Sequence, residues 1–200
     1  MQLLSRLTFL AVNLAAASCS TSDSSNEIGE LTHPELRSEL LAMAEADQSL
    51  RQDLSPERLQ DTLLLIEMLA SQAANANRMV EILDQFGWPG ADLVGVDGAA
   101  AAWLLVQHGQ ASLQERALDL MREAADPGVS AADIAMMTDR ILVERGQPQL
   151  YGTQFQFIDG KLVQDVVDDP DSVEVRRAEV GLPTMAEYVR MLEEAYGVGR

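Results

Sequence analysis

The stretch DRILVERGQPQLYGTQF, Asp139 to Phe155, decides the fold, because the chain changes its period inside it. Ser130 and Asp133 open a helical pattern that runs to about Arg145, and Gly146 stands just beyond as a stop signal. After Pro148 the pattern becomes that of extended chain. Thr153 to Ile158 and Lys161 to Val167 flank Asp159-Gly160, a dipeptide that suits the left-handed positions of a two-residue hairpin turn. The stretch therefore predicts a helix feeding a β-hairpin at about residues 151–167.

Upstream of this junction the signals are helical. Thr32 and Glu35 have capping-box spacing, with Pro34 in the first turn, and Leu36, Leu40, Met43 and Leu50 fall near one stripe. Ser55-Pro56 opens a second helix, with Leu59, Leu63, Ile66 and Leu69, then Met79, Ile82, Leu83 and Phe86, as its apolar face. Ser71 to Asn77 is weaker helix material and predicts a bend, and Gly87-Trp88-Pro89-Gly90 a stop. Ala99 to His108 is almost wholly apolar until Gln107 and reads as a central buried helix. Ser112 to Ala125 is amphipathic and closes at Asp126-Pro127-Gly128. Downstream of the hairpin, Val173 to Val180 is a short helix, and Thr184 with Glu187 caps a last one through Tyr196. The expected class is mainly α (α+β), a single helical domain over residues 32–200 with one hairpin in its C-terminal half.

Residues 1–18 read as a signal peptide: Arg6 is a thin positive region and Leu7 to Ala17 an apolar run too short to span a bilayer. Ala16-Ala17-Ser18-Cys19 resembles a bacterial lipobox, although Ala16 stands where Leu is usual. Cys19 is the single cysteine, so it forms no intrachain disulfide and is expected to be the lipidated mature N-terminus. Two acyl chains give stable anchoring where one is marginal. Residues 19–31 then form the anchor and a small, polar tether. The expected location is the cell envelope, on the periplasmic or outer-membrane side; a plain secretory signal would release the chain to the periplasm instead.

The formal net charge of −18 argues against nucleic-acid binding, since a phosphate backbone would be repelled. It equally argues against a broad basic membrane face. Aromatic content of 4% leaves Leu, Ala, Val, Ile and Met to build the core.

Oriented polar side chains concentrate in two places, DRILVERGQPQLYGTQF and Trp103 to His108 (WLLVQH). His108 ends an apolar helix, where an imidazole serves as general acid or base, or satisfies carbonyls of its own helix terminus. Trp103 and Gln107, four apart, share a helix face as a stacking platform with an amide, or as core. Asp139 and Arg140 point about 100° apart and so need separate partners, with Arg51 or Arg176 available to Asp139. Arg140 is placed to clamp a carboxylate or phosphate, or to make a structural ion pair. Gln147, Gln149, Tyr151 and Thr153 alternate along extended chain with Gln154 beside them, a row suited to sugars, to peptide backbone, or to the hairpin's own edge. Asp47, Gln48 and Arg51 form a DQxxR cluster, for which a surface i,i+4 salt bridge is the simplest reading. Metal binding is not expected, because no recognisable ligand spacing exists. No cofactor is expected either: no Gly-rich phosphate loop, GxSxG elbow or CxxC occurs.

Taken in order, DQxxR (Asp47 to Arg51), GWP (Gly87 to Pro89), WLLVQH, TDRILV (Thr138 to Val143), GQPQLYGTQF (Gly146 to Phe155), RRAEVGLP (Arg176 to Pro183) and Tyr188 resemble a bacterial domain-of-unknown-function family. The resemblance spans Leu36 to Leu192. It implies a shared fold and a shared site at Asp47, Gln48, Arg51, Trp103, Gln107, His108, Asp139, Arg140, Gln149, Tyr151 and Gln154, but no activity. Gly109 departs from the family pattern, in which an Ala precedes the turn, and alters the helix end beside His108.

Three expectations follow. The domain binds an unknown small molecule or envelope component through Trp103, Gln107 and Gln149 to Gln154. Alternatively it is a hydrolase, with His108 as general acid or base, Arg140 as anion clamp, and Asp139 or Asp47 as orienter. Or the polar motif residues are purely structural.

Overall fold

The computed structural model describes residues 32–51, 61–124, 129–158 and 161–196. The signal peptide, Cys19 and its tether, Ser55-Pro56, Leu59, Asp126-Pro127-Gly128 and the Asp159-Gly160 turn lie outside them. The class is mainly α, with seven helices and one two-stranded sheet among the described residues. The chain forms two compact units that meet in sequence between Ser130 and Ala131.

The first unit carries α1 (Pro34–Arg51), α2 (Thr62–Phe86), α3 (Ala91–Gln107) and α4 (Ala111–Glu123). α1 buries Leu36, Leu40, Ala44 and Asp47, a single stripe at 4-4-3 spacing. Thr32 does not close the expected capping box; its hydroxyl donates to the Asp92 carbonyl at the start of α3. Arg37 pairs with Asp97 near the beginnings of α1 and α3, and Asp47 meets His108 near their ends, so the two helices run parallel.

α2 starts at an Asp61 cap, whose carboxylate accepts from the Leu63 and Leu64 amides. It is continuous helix through Ser71 to Asn77. Its apolar face is rotated from the expected one. Leu64 is buried, whereas Leu63, Ile66 and Leu69 are 78%, 57% and 62% exposed. One residue is 100° on a helix, which suffices to swap the faces. Farther along, Met79, Ile82 and Leu83 are buried as expected. α3 begins earlier than its apolar run and changes direction at Gly95, whose φ of 74° only glycine adopts readily. Ala101 to Gln107 are all buried, making this the central helix of the unit.

The second unit carries α5 (Ala131–Glu144), the antiparallel pair β1 (Phe155–Ile158) and β2 (Lys161–Gln164), α6 (Val173–Glu179) and α7 (Met185–Tyr196). Phe155 pairs with Gln164 and Ile158 with Lys161, the register expected of a two-residue connection. A cluster of Phe155, Tyr188 and Leu192, backed by Leu162, Met185 and Val189, packs the hairpin on α7. Each large apolar side chain fully buried in this way contributes roughly 1.5–3 kcal/mol. The α7 capping box is present: the Thr184 amide donates to Glu187 Oε2 at 3.0 Å, and the Glu187 amide to Thr184 Oγ1 at 3.3 Å.

Candidate functional site

In the first unit a polar cluster forms where α1 and α3 end. Asp47 lies on the buried stripe of α1, and its side chain is only 3% exposed. A carboxylate removed from water in this way requires charge-assisted partners. Arg51, one turn later, supplies two, from Nε to Oδ2 at 3.0 Å and Nη2 to Oδ1 at 3.3 Å. The third comes from His108, whose Nδ1 lies 2.7 Å from Oδ2. Gln48 Nε2 approaches the same oxygen at 3.4 Å. Burial pushes the Asp47 carboxyl up, but His108 and Arg51 together outweigh it and hold the group below its ordinary range. The surface salt bridge read from DQxxR is thus a buried junction of three side chains.

An ionised carboxylate has no hydrogen to donate, so the Asp47–His108 bond is donated by Nδ1–H. In the neutral ring this leaves the lone pair on Nε2. Among the described residues Nε2 makes no hydrogen bond, and the side chain is 17% exposed. His108 thus has one nitrogen fixed by a buried anion and the other available, as a proton-transfer group requires.

Two amides fix the backbone beneath the ring. Gln72 Nε2 donates to the His108 carbonyl, and Gln114 Nε2 donates to the carbonyls of Gln107 and Gly109 at 3.2 and 3.0 Å. They satisfy carbonyls that a helix end leaves without intrahelical partners. The sequence reading missed both. Their signal was an amide on an apolar stripe: Gln72 falls four after Met68 and eight after Leu64, and Gln114 lies among the buried Leu113, Ala117 and Leu118. Trp103 and Gln107 are both buried, with Trp103 in the apolar core of α3.

The second unit uses its motif residues differently. Asp139, on α5, accepts from the Leu150, Tyr151 and Thr153 amides at 2.7, 3.0 and 3.0 Å and from the Thr153 hydroxyl at 2.9 Å. Its partners are thus the backbone of the loop that feeds the hairpin, rather than Arg51 or Arg176. Burial pushes its carboxyl up, and these donors hold it back only in part. Gln149 bridges the same loop, accepting from the Gln154 amide at 2.8 Å and donating to the Gln154 and Asp165 carbonyls at 3.0 and 2.9 Å. Gln154 Nε2 donates to Thr153 Oγ1 at 3.0 Å. Arg176 Nε donates to the Leu150 carbonyl at 2.7 Å, and Arg177 Nη1 to the Tyr151 carbonyl at 2.6 Å. The Arg177 guanidinium also lies 5.0 Å from the centre of the Tyr188 ring, whose hydroxyl donates to the Thr153 carbonyl at 3.1 Å.

Gly152 makes this loop possible. Its φ is 69°, and a Cβ there would collide with Met185 Cε and Gln164 Nε2. Of the polar row, the Gln149 side chain is spent on the loop's backbone, and the Gln154 side chain on Thr153 Oγ1 and, at 3.5 Å, the Met136 carbonyl. Arg140 is buried on α5, and desolvation pulls its guanidinium down to about 10.

The structure brings together Asp47, Gln48, Arg51 and His108 in the first unit, and Asp139, Gln149, Tyr151 and Gln154 in the second. Among the described residues no group of three or more His, Cys, Asp or Glu is placed to hold a metal ion, and no helix is long and apolar enough to cross a membrane. No curated protein and no solved structure matches the chain. The sequence model of a family of unknown function, DUF6624, matches residues 34–199, and the chain belongs to that family.

Proposed function

We propose that the domain is a hydrolase-type enzyme in which His108 moves the proton and Asp47 orients it. The observation that carries this reading is the 2.7 Å bond from His108 Nδ1 to buried Asp47, with Nε2 left unbonded among the described residues. Nε2 would accept a proton from water as the water oxygen attacks an electrophilic centre, and would then return that proton to the leaving group. Asp47 holds the tautomer and stabilises the imidazolium formed in between. In this reading Asp139 braces the hairpin loop, and neither Asp139 nor Arg140 is assigned to the chemistry.

A panel of chromogenic carboxylic and phosphoric esters tests it. Wild type should turn over at least one class, and His108→Asn should lose about a hundredfold or more. Equal rates in the two proteins would refute the role of His108.

A second reading, of a binding protein without turnover, is favoured by one observation. The groups hydrogen-bonded to the Asp47–His108 pair are a guanidinium and amides, and none is a nucleophile. Saturable retention of a ligand by wild type, without product, would establish it.

The lipobox-like Ala16-Ala17-Ser18-Cys19 supports anchoring of the mature chain to an envelope membrane. Radiolabelled palmitate should enter wild type and not Cys19→Ser. Equal labelling would exclude the anchor.

A further inference from the structure

Arg51 has more donors than Asp47 uses. A guanidinium carries five N–H groups, arranged as one fork along its Nε–Nη2 side and another across its Nη1–Nη2 end. The side fork is taken: Nε and Nη2 both bind Asp47, at 3.0 and 3.3 Å. This leaves both hydrogens of Nη1 and the second of Nη2, for which the described residues supply no acceptor. The Arg51 side chain is 25% exposed, so the pair that it forms with Asp47 is not sealed from solvent. His108 donates to the same Asp47 Oδ2 that Arg51 Nε binds, which sets the ring and the guanidinium side by side.

We infer that the group presented to His108 carries an oxyanion, a carboxylate or a phosphate, seated on the open end fork of Arg51. The inference rests on the proton-transfer reading of His108. Asp47 already neutralises Arg51, so the added anion is balanced once His108 has taken the proton from water. A planar end fork selects an acceptor with two oxygens over a spherical ion. The net charge of −18 opposes anions at long range, so a minimal probe should bind only at about millimolar concentration.

The test is nuclear magnetic resonance of the His108 ring during titration with inorganic phosphate, acetate and chloride. The chain has two histidines, so a His33→Gln variant assigns the signals. Phosphate or acetate should move the His108 signals saturably and chloride should not; whichever oxyanion binds tells tetrahedral from planar recognition. Arg51→Lys keeps a cation for Asp47 but has no second fork, and should weaken the response tenfold or more. Arg51→Gln, checked for folding by circular dichroism, should do the same. A response unchanged in Arg51→Lys, or none in wild type, overturns the inference. If the Nδ1–H tautomer is still seen in that case, the dyad stands and only the oxyanion site falls. If that tautomer is absent, both fall.

Discussion

Replacing Asp139 with Ala removes the acceptor that holds the start of the hairpin loop. Its carboxylate serves four donors, the amides of Leu150, Tyr151 and Thr153 and the Thr153 hydroxyl. A hydrogen bond to a charged group contributes about 1.5–3 kcal/mol, and a buried donor left without a partner costs about 1–3 kcal/mol. Leu150 and Tyr151 are half-buried and can recruit water once the carboxylate is gone. Thr153 is buried at 1% exposure and its amide and hydroxyl have no such recourse. Two donors fully penalised and two partly relieved give a loss of about 4 kcal/mol, in the range found when a buried charged partner is deleted. Urea unfolding followed by far-ultraviolet circular dichroism measures the loss. Amide hydrogen exchange at residues 150, 151 and 153 locates it, and those amides should lose most of their protection. A loss below about 1 kcal/mol with protection intact would refute the brace.

The two buried aspartates should give opposite pH signatures. The Asp47 carboxyl is held low in the folded state, so its contribution is complete above the unfolded value near 3.9 and disappears as pH falls through the lower folded value; Asp47→Asn should flatten the acid limb of the stability curve. The Asp139 carboxyl is pushed up, so its contribution is greatest below about 3.9 and declines as pH rises through the folded value; stability relative to Asp139→Asn should fall across that window. Gly152→Ala should cost about 1–2 kcal/mol by urea unfolding, because φ is 69° there and the new Cβ meets Met185 and Gln164; a neutral result would mean that the loop takes another path.

The helix-to-hairpin switch was legible because it lies in local chemistry: a helix stop at Gly146, extended chain after Pro148, and a register that the pairing of Phe155 with Gln164 reproduces. The α7 cap was legible for the same reason. The rotated face of α2 was not. Leu63, Leu64, Leu65 and Ile66 are all apolar, so the pattern offered several faces and tertiary packing chose Leu64. The polar residues of WLLVQH and YGTQF stand out in the sequence, but sequence does not show whether an amide turns to solvent or to its own backbone. Gln149 turned to the loop's backbone, and Gln154 to the Thr153 hydroxyl. Asp47 looked like half of a surface pair because Arg51 stands four residues on. Its place on the stripe with Leu36, Leu40 and Ala44 was the sign of burial, and the remaining partner lay 61 residues away.

The central claim is that buried Asp47 fixes His108 in the form that leaves Nε2 able to take a proton. Nitrogen-15 correlation spectra of the imidazole, recorded where the ring is neutral, test it directly. Hydrogen on Nδ1 with a bare Nε2 is the predicted result, and Asp47→Ala should release the ring to a mixture of tautomers. Hydrogen on Nε2 in the wild type, or a tautomer balance indifferent to Asp47→Ala, would contradict it.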